Sequence, residues 1–531
     1  MRETAQGRKT SMSDGLHTGM TSSEMVMRDF RRFGDRVAFD GYGGRCTYAQ
    51  ALDLVARYQA VFKQHGVKRR ERISLLNANR AEAYLAGIAA QALGVCMTPL
   101  HTLGSLEDHR FTLEDAEIDY LFVDSENYMD RGRELTGGVG RLKQTFTLGP
   151  ADYGFDLRAG AEAAGAVNPV IEAHTDDPVW ISYTGGTTGK PKGGLRTHPS
   201  FVAMATSILA SFEFPAWTNY LAVAPISHVG GTKLPAVLHL GGKVTFMKGF
   251  DPEEVLATIE RERITTSLLV PTMIYLLLDH PRLEKTDLSS LEYLLYGASP
   301  MSPTRLMEGL ERIGPVFGQL YGQTEGYPIS VLRKADHDRK RPDLFASCGF
   351  PCPNVQVRLL DEDLNEVAEG EPGEICVRSG QVMDEYWNRP EQTAETFAGG
   401  WLHTGDIARA DEQGYLYIVD RKKDMIVSGG FNVFPREIED VLTSHPDVAM
   451  AAVIGVPDEK WGEAVKALIV PKAGVRPDPQ ALMQLVKDHK GAVQAPKSVD
   501  FVDEIPVTPI GKPDKKAIRA KYWPDSGRMV G

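Results

Sequence analysis

Between Tyr183 and Gly193 the chain reads Tyr-Thr-Gly-Gly-Thr-Thr-Gly-Lys-Pro-Lys-Gly, with four glycines, three threonines and two lysines in eleven residues. Glycines let backbone N–H groups turn inward and come close to an anion. The threonine hydroxyls add donors, and Lys190 and Lys192 add positive charge. That combination suits a polyphosphate; the competing reading is a flexible surface loop. It is not a Walker A loop, because only three residues separate Gly185 from Gly189 and Pro191 follows Lys190.

Other clusters could complete such a site. Tyr321-Gly-Gln-Thr-Glu325 offers a ring able to stack on a base, a hydroxyl, and a carboxylate able to hold Mg²⁺. Trp401-Leu-His-Thr-Gly-Asp406 sets a carboxylate after a glycine turn, where it could accept both hydroxyls of a ribose or only stabilise the turn. Asp420-Arg421 could add a guanidinium to the same sugar, or form no more than a surface ion pair. Pro506-Val-Thr-Pro-Ile-Gly-Lys512 holds a lysine on a Pro/Gly-shaped loop, off regular structure, from which it could reach another domain.

The elements that must position these residues alternate between helical and strand periods from about Thr47 onward. Tyr48 to Phe62 and Ala81 to Leu93 have helical spacing, while Arg72–Leu76, Val95–Leu100, Tyr120–Asp124 and Val179–Ser182 read as strands. The pattern continues through Tyr220–Ala224, Lys243–Met247, Thr266–Val270, Tyr293–Tyr296 and Val316–Leu320. This predicts an α/β fold, with layered, largely parallel sheets flanked by helices. Segments such as Ala224-Pro-Ile-Ser-His228 and Gly297-Ala-Ser-Pro300 end these strands, where open α/β sheets collect their ligands.

Near residue 420 the composition changes. Gly414–Asp420 reads as a strand, Arg421-Lys-Lys-Asp424 as a charged turn, and Pro435–Leu442 as an amphipathic helix. Strands follow at Val448–Val456, Ala464–Val470 and Ser498–Val502, which predicts a small α+β domain. The expected division is a disordered lead-in over 1–20, a large domain over 21–420 and a small mobile domain over 421–531, hinged at the charged turn.

The 531 residues exceed a single ordinary core, and a net charge of −12 argues against nucleic acid as a general partner. Cations for a phosphate must therefore be local. Five cysteines form no disulfide framework in a chain this long, and Cys348 and Cys352 have no second Cys/His pair nearby to make a metal site. No apolar run reaches the ~18 residues needed to span a bilayer, and the polar N-terminus lacks a signal core. The expected location is cytoplasmic.

Taken in order, these motifs resemble the adenylate-forming (AMP-binding) superfamily of acyl-CoA synthetases, over nearly the whole chain after residue 20. The family's Tyr-Thr-Ser-Gly-Thr-Thr-Gly-x-Pro-Lys-Gly is present with Gly185 in place of Ser. Tyr-Gly-x-Thr-Glu, Gly-Trp-x-x-Thr-Gly-Asp, Asp-Arg-x-Lys-Asp and the C-terminal Gly-Lys follow in the family order. The resemblance implies that a carboxylic acid attacks ATP to give an acyl-adenylate and pyrophosphate, and that the thiol of CoA then takes the acyl group and releases AMP. Thr184, Gly185, Gly186, Thr187, Thr188 and Lys192 would cradle the β- and γ-phosphates. Thr324 would contact the α-phosphate, and Glu325 would hold Mg²⁺. Tyr321, with Gly322 and Gln323 beside it, would stack on adenine, whose edge runs along Gly297, Ala298 and Ser299. Asp406 and Arg421 would fix the ribose, and Lys512 would bridge the reacting oxygens.

The same resemblance implies that the small domain turns about Lys423 between the two half-reactions and brings up Ser428-Gly429-Gly430-Phe431 to line the thiol tunnel. His228 stands where the family sets a pocket gate; as a lone histidine it reads equally as packing. Gly230 and Gly231 would leave room for an acyl chain or ring, and no fixed charge is evident there, which favours an apolar acid: fatty, aryl or alicyclic. Glu385, where relatives often carry Gly, is expected to touch no chemistry. Asn432 replaces an Arg that in some members contacts CoA or phosphate. Nineteen residues follow Lys512, as expected of a free-standing ligase. An enzyme loading a separate carrier protein and a catalytically silent nucleotide-binding relative are the alternatives. Homodimerisation is common among relatives and is left open.

Overall fold

The structure is a computed structural model and describes residues 19–184, 191–428, 431–458, 461–472, 474–506 and 513–523. Gly185, Gly186, Thr187, Thr188, Gly429, Gly430 and Lys512 lie outside the described residues.

The described residues form four sheets. In the first, Cys96–Pro99, Arg72–Leu76, Tyr120–Val123 and Gln144–Thr147 run parallel. Such strands are covered on both faces, so they read as unbroken apolar runs; every residue of Tyr120–Val123 is buried. Helix Ala81–Ala92 covers this sheet, and its small side chains let it lie close. A Cβ on Gly87 would sit 2.7 Å from Met97 Sδ. Helix Tyr48–Gln64 begins at a reciprocal cap, in which Thr47 Oγ1 accepts the Gln50 N–H at 3.2 Å and Gln50 Oε1 accepts the Thr47 N–H at 2.8 Å.

The second sheet sets Val37–Gly41, Lys243–Phe246, Asn219–Ala222, Thr266–Leu269, Tyr293–Gly297 and Phe317–Tyr321 in parallel. Ser330–Leu332 and Phe350–Pro351 then add antiparallel edges. Because the parallel strands share a direction, the segments leaving Ala222, Gly297 and Tyr321 emerge along one edge. A single apolar cluster spans both sheets and their helices, including Phe39, Tyr48, Phe62, Phe122, Phe146 and Leu268. Each such side chain contributes about 1.5–3 kcal/mol on burial.

In a third, antiparallel sheet of Gln356–Leu360, Gly373–Arg378, Leu402–Ala410 and Leu416–Arg421, only the last strand was anticipated, as Gly414–Asp420. The fourth sheet belongs to the small α+β unit. It contains Ile426–Ser428, Phe431–Val433, Val448–Asp458, Gly462–Pro471 and Ser498–Phe501, with helices Pro435–Thr443 and Pro479–Lys490 packed on its own core of Ile426, Val453, Val465, Ile469 and Leu482. No helix among the described residues is long and apolar enough to cross a membrane.

Candidate active site

The residues on either side of the glycine-rich segment are paired strands of the first sheet. Pro178–Tyr183 pairs antiparallel with Gly193–Thr197. The pairing runs on to Thr184, whose N–H donates to the Lys192 carbonyl at 3.0 Å, while the Lys192 N–H donates to Thr184 Oγ1 at 3.4 Å. The arms therefore hold the ends of the loop together. Gly193 is required by packing, since a Cβ there would meet Ile181 Cγ2 at 2.6 Å. Tyr183 donates its hydroxyl to Asp115 Oδ2 at 2.7 Å, which ties the base of the hairpin to helix Leu106–Asp115.

A two-residue strand, Glu385–Tyr386, adds to the outer edge of this hairpin, with Glu385 opposite Leu195 and Tyr386 opposite Gly194. Glu385 itself is exposed, while its neighbour Tyr386 is buried against the site residues. The Lys192 ammonium sits 4.2 Å from the centroid of the Tyr386 ring. On the other side, the Tyr386 hydroxyl donates to Glu325 Oε1.

Glu325 is held by the turn that follows Phe317–Tyr321. Gln323 and Gly326 exchange backbone hydrogen bonds at 2.9 and 3.2 Å. Gly322 is confined beneath Tyr327, where a Cβ would lie 2.8 Å from Cδ2. Arg196, on the second arm of the hairpin, donates to the Thr324 carbonyl at 2.8 Å and to the Gln381 carbonyl. Burial pushes the Arg196 guanidinium down to about 10, with Asp384 and Glu325 opposing the shift. Two backbone carbonyls thus fix a buried cation behind Thr324. Sequence reasoning passed over Arg196 because nothing in its own segment marks it.

Gly297 ends the neighbouring parallel strand, and its missing Cβ is filled by the Leu320 carbonyl, which would lie at 2.5 Å. Ala298 follows with a left-handed φ of 64° and is exposed; Ser299 is half-buried. These residues stand beside the start of the Tyr321 turn through the pairing of Gly297 with Leu320.

Asp406 lies in the third sheet, within the strand Leu402–Ala410, and not after a free turn. Gly405, at φ 70°, lets the strand bend without leaving the sheet. Asp406 faces Arg421 across the ladder, and Arg421 Nε reaches Asp406 Oδ1 at 3.2 Å. The Tyr321 hydroxyl donates to Asp406 Oδ2 at 2.7 Å. Asp406 holds the Arg421 guanidinium above its usual range, while burial and then Asp406 push the Tyr321 phenol well up. Tyr321, Asp406 and Arg421, far apart in sequence, therefore form one connected trio.

Behind it, Glu374, Cys376 and His403 bring ligand-type atoms within 4.8 Å of one another. Glu374 already accepts from the Gly405 N–H at 2.9 Å, shares a bond with His403 Nδ1 at 3.1 Å and pairs with Lys422 at 3.4 Å. The cluster works as an internal bracket for the Gly405–Asp406 backbone. Cys348 and Cys352 are buried as separate free thiols.

Arg421 closes a strand, and the predicted charged turn narrows to residues 422–424. The Lys422 N–H donates to the Gly405 carbonyl at 2.8 Å, and the Asp424 N–H to the Arg421 carbonyl at 2.8 Å. Burial lowers the Lys423 amine, with Arg421 adding to the effect. Beyond the turn, Lys515 pairs with Glu439 and Arg519 with Asp424, each at 2.9 Å. Ser428 stands opposite Phe431 in an antiparallel pair, and Asn432 is exposed opposite Val427.

On the acyl side, His228 follows the segment leaving Ala222. Its ring packs edge-on against His101 at 4.5 Å, and its Nδ1 shares a 2.8 Å bond with Ser227 Oγ. Burial pushes His228 down to about 4, with His101 adding to the effect, so the imidazole is neutral near pH 7. Gly230 and Gly231 do not open a cavity. Cβ atoms there would strike the Ala224 carbonyl at 2.6 Å and the Ile226 carbonyl at 1.9 Å, so both glycines serve close backbone packing. Lys233, unmarked by the sequence reading, is fully buried. Its amine contacts Val229 O and Thr232 Oγ1 at 3.0 Å each, and also Tyr327 Oη. Desolvation holds that amine well below the usual lysine range.

Comparison with known proteins gives the same outline. The family model for AMP-binding enzymes matches residues 26–387, and that for the AMP-binding enzyme C-terminal domain matches residues 437–512. The chain is 46% identical over 503 residues to the medium/long-chain-fatty-acid–CoA ligase FadD8 of Mycobacterium tuberculosis, covering 92% of this chain and 87% of that protein. It is 36% identical over 486 residues to a feruloyl-CoA synthase of an Amycolatopsis species, covering 90% and 94%. Among solved structures, the amide bond synthetase McbA of Marinactinospora thermotolerans superposes with a TM-score of 0.87 at 34% identity, covering 94% of this chain and all of that one.

Proposed function

The chain belongs to the AMP-binding enzyme family, and on that premise we propose that it is an ATP-dependent acyl-CoA synthetase acting on an apolar carboxylic acid. The observation that carries the reading is the arrangement around Tyr386 and Tyr321: a lysine and a carboxylate flank one ring, and a carboxylate–guanidinium pair is joined to the other. The first set suits a triphosphate and its metal, the second a ribose.

In the first half-reaction a carboxylate oxygen of the acid forms a bond to the α-phosphorus, and the bond from that phosphorus to the pyrophosphate oxygen breaks. Both reactants are anions, so positioning and charge neutralisation dominate the barrier. Lys192, with Thr184 and the loop residues Gly185 to Thr188, neutralises the leaving pyrophosphate. Thr324, its carbonyl pinned by Arg196, presents its hydroxyl to the α-phosphate. Asp406 accepts the ribose hydroxyls, backed by Arg421, and Tyr321 packs on the adenine. Glu325 suits Mg²⁺, because one oxygen is held by Tyr386 and the other has no hydrogen-bond partner among the described residues. The ion would supply charge neutralisation on the phosphates. Lys512 bridges the acid and α-phosphate oxygens.

In the second half-reaction the thiol sulfur bonds to the acyl carbon, its proton is lost, and AMP leaves. We place the domain boundary at residues 422–424, with Lys423 as hinge and Gly429 and Gly430 beside the thiol path. Burial disfavours the charged forms of both His228 and Lys233 on the segment proposed to wall the acid. This favours fatty acids first and aryl-propenoic acids next. The five free thiols accord with a reducing, cytoplasmic setting.

The test is a hydroxamate-trapping screen of fatty, aryl and alicyclic acids with Mg·ATP, followed by AMP release with CoA, a phosphopantetheinyl carrier protein or an amine as acceptor. Release driven by the carrier or the amine, and not by CoA, would overturn the acceptor assignment.

A further inference from the structure

Tyr386 is locked in place more firmly than a two-residue strand requires. Its neighbours zip to the hairpin edge: the Asp384 N–H donates to Leu195 O at 2.8 Å and the Trp387 N–H to Gly193 O at 2.7 Å. Asp384 Oδ2 caps the Thr197 N–H at 2.7 Å, and Arg389 pairs with Asp115. On the inner side the Met383 N–H donates to the Glu325 carbonyl at 2.7 Å. The segment is therefore stitched both to the arm that carries Lys192 and to the residue that carries the site's carboxylate. Its one side chain between them is the tyrosine, 4% exposed, with the ammonium over its face and the carboxylate on its hydroxyl.

An ammonium and a carboxylate that share one aromatic neighbour attract each other across a partly desolvated site. Direct pairing would consume both groups. Yet among the described residues no ion pair joins Lys192 to Glu325; the ring gives each charge a separate partner, a quadrupole face for the cation and a hydroxyl donor for the anion. We propose that Tyr386 is a positioning residue that keeps Lys192 and Glu325 from pairing with each other and presents both, already aimed, to metal-bound ATP. The proposal rests on the assignment of Lys192 to the phosphates and Glu325 to the metal.

The two contacts can be separated. Tyr386→Phe keeps the ring under Lys192 and removes the donor to Glu325. Tyr386→Leu removes both. ATP alone, without acid, is titrated calorimetrically into the full-length protein, once with EDTA and once with Mg²⁺, and the ratio of the two affinities gives the metal-dependent gain. Tyr386→Phe is expected to bind metal-free ATP as wild type does but to lose about tenfold of the metal-dependent gain, as for other outer-shell partners of metal ligands. Tyr386→Leu is expected to weaken metal-free ATP as well, by about fivefold, because Lys192, no longer held on the ring, pairs with Glu325 instead. Thioester formation from supplied acyl-adenylate should be unchanged in both variants. Glu325→Gln provides the reference, and it should lose the gain by itself.

If Glu325→Gln loses the gain and Tyr386→Phe keeps it, the positioning role is overturned while the metal assignment stands. If Glu325→Gln keeps the gain, the metal assignment falls and the proposal with it. Equal damage to metal-free ATP binding, metal-dependent gain and thioester formation in Tyr386→Phe would show a merely structural residue. Should Tyr386→Leu fail to fold, the phenylalanine variant decides the question alone.

Discussion

Replacing Asp406 by Asn tests the sugar site directly. In the structure the carboxylate is 5% exposed and engaged on both oxygens, by Tyr321 at 2.7 Å and by Arg421 at 3.2 Å. A hydrogen bond to a charged acceptor contributes about 1.5–3 kcal/mol, and one to a neutral acceptor about 0.5–1.5 kcal/mol, so each bond that loses the charge forfeits roughly 1 kcal/mol. Two ribose hydroxyls on the same carboxylate would together forfeit about 2 kcal/mol, or about thirtyfold in apparent affinity. The bonds from Tyr321 and Arg421 weaken too, and lower the stability of the free protein by a similar amount. The assay is acid-dependent ATP–pyrophosphate exchange with ATP, 2′-deoxyATP and 3′-deoxyATP. Asp406→Asn should raise the KM for ATP and narrow the preference for ATP over both deoxynucleotides. If KM rises equally for all three and the preference is untouched, Asp406 merely braces Arg421, and the ribose assignment is refuted.

Three other predictions follow from the same geometry and assignments. Lys512→Ala should lose about 10²–10³ in acid-dependent exchange while largely keeping thioester formation from supplied acyl-adenylate, as for other single preorganised donors; equal loss in both would sink the split role. Lys233→Met keeps the stem but removes the amine's buried bonds to Val229 O, Thr232 Oγ1 and Tyr327 Oη, so stability should fall by about 1–3 kcal/mol with the order of acid preference unchanged; a reordered acid profile would mean that the amine reaches the acid. His198 and His337 are buried, and burial holds both at about 4. Between pH 6.5 and 4 the unfolded chain binds a proton that the folded chain excludes at each site, so stability must fall as pH falls through that window, by up to about 3 kcal/mol per group. Urea titrations should show a shallower acid loss in His337→Gln than in wild type; equal slopes would contradict the buried neutral state.

What the sequence disclosed, and what it hid, follows from the range of the interactions. The parallel strands were legible because burial on both faces leaves an unbroken apolar signature, as in Tyr120–Val123, and helix Ala81–Ala92 because its period is local. The site was legible in residue types: Tyr321, Glu325, Asp406 and Arg421 were singled out one by one, and the contacts around Tyr321 and Tyr386 engage all four. Their pairing was not legible. Tyr386 meets Glu325 across 61 residues, and Tyr321 meets Asp406 across 85. No period links such positions. Gly230 and Gly231 misled for a related reason: a glycine signals that something passes close, but not whether it is a ligand or the chain itself, here the carbonyls of Ala224 and Ile226. Gly405 misled in the opposite sense, since its left-handed φ bends a strand that the sequence read as a turn.

The charge arrangement explains why the site is assembled this way. A protein with a net charge of −12 repels a triphosphate at long range, so attraction must come from a few cations close at hand. Left free, those cations would collapse onto the nearest carboxylates. Their partners differ: Lys192 rests on the ring of Tyr386, Arg421 pairs with the carboxylate of Asp406, and Arg196 donates to two backbone carbonyls. Of these three, Lys192 is the one next to the glycine-rich segment, and its partner is an uncharged ring. On the proposed assignments the ring presents Lys192 to an incoming phosphate, whereas Arg196 is fixed behind Thr324 and Arg421 behind the sugar. On that reading one cation meets the leaving group while two hold the field steady, as a reaction between two anions demands of its surroundings.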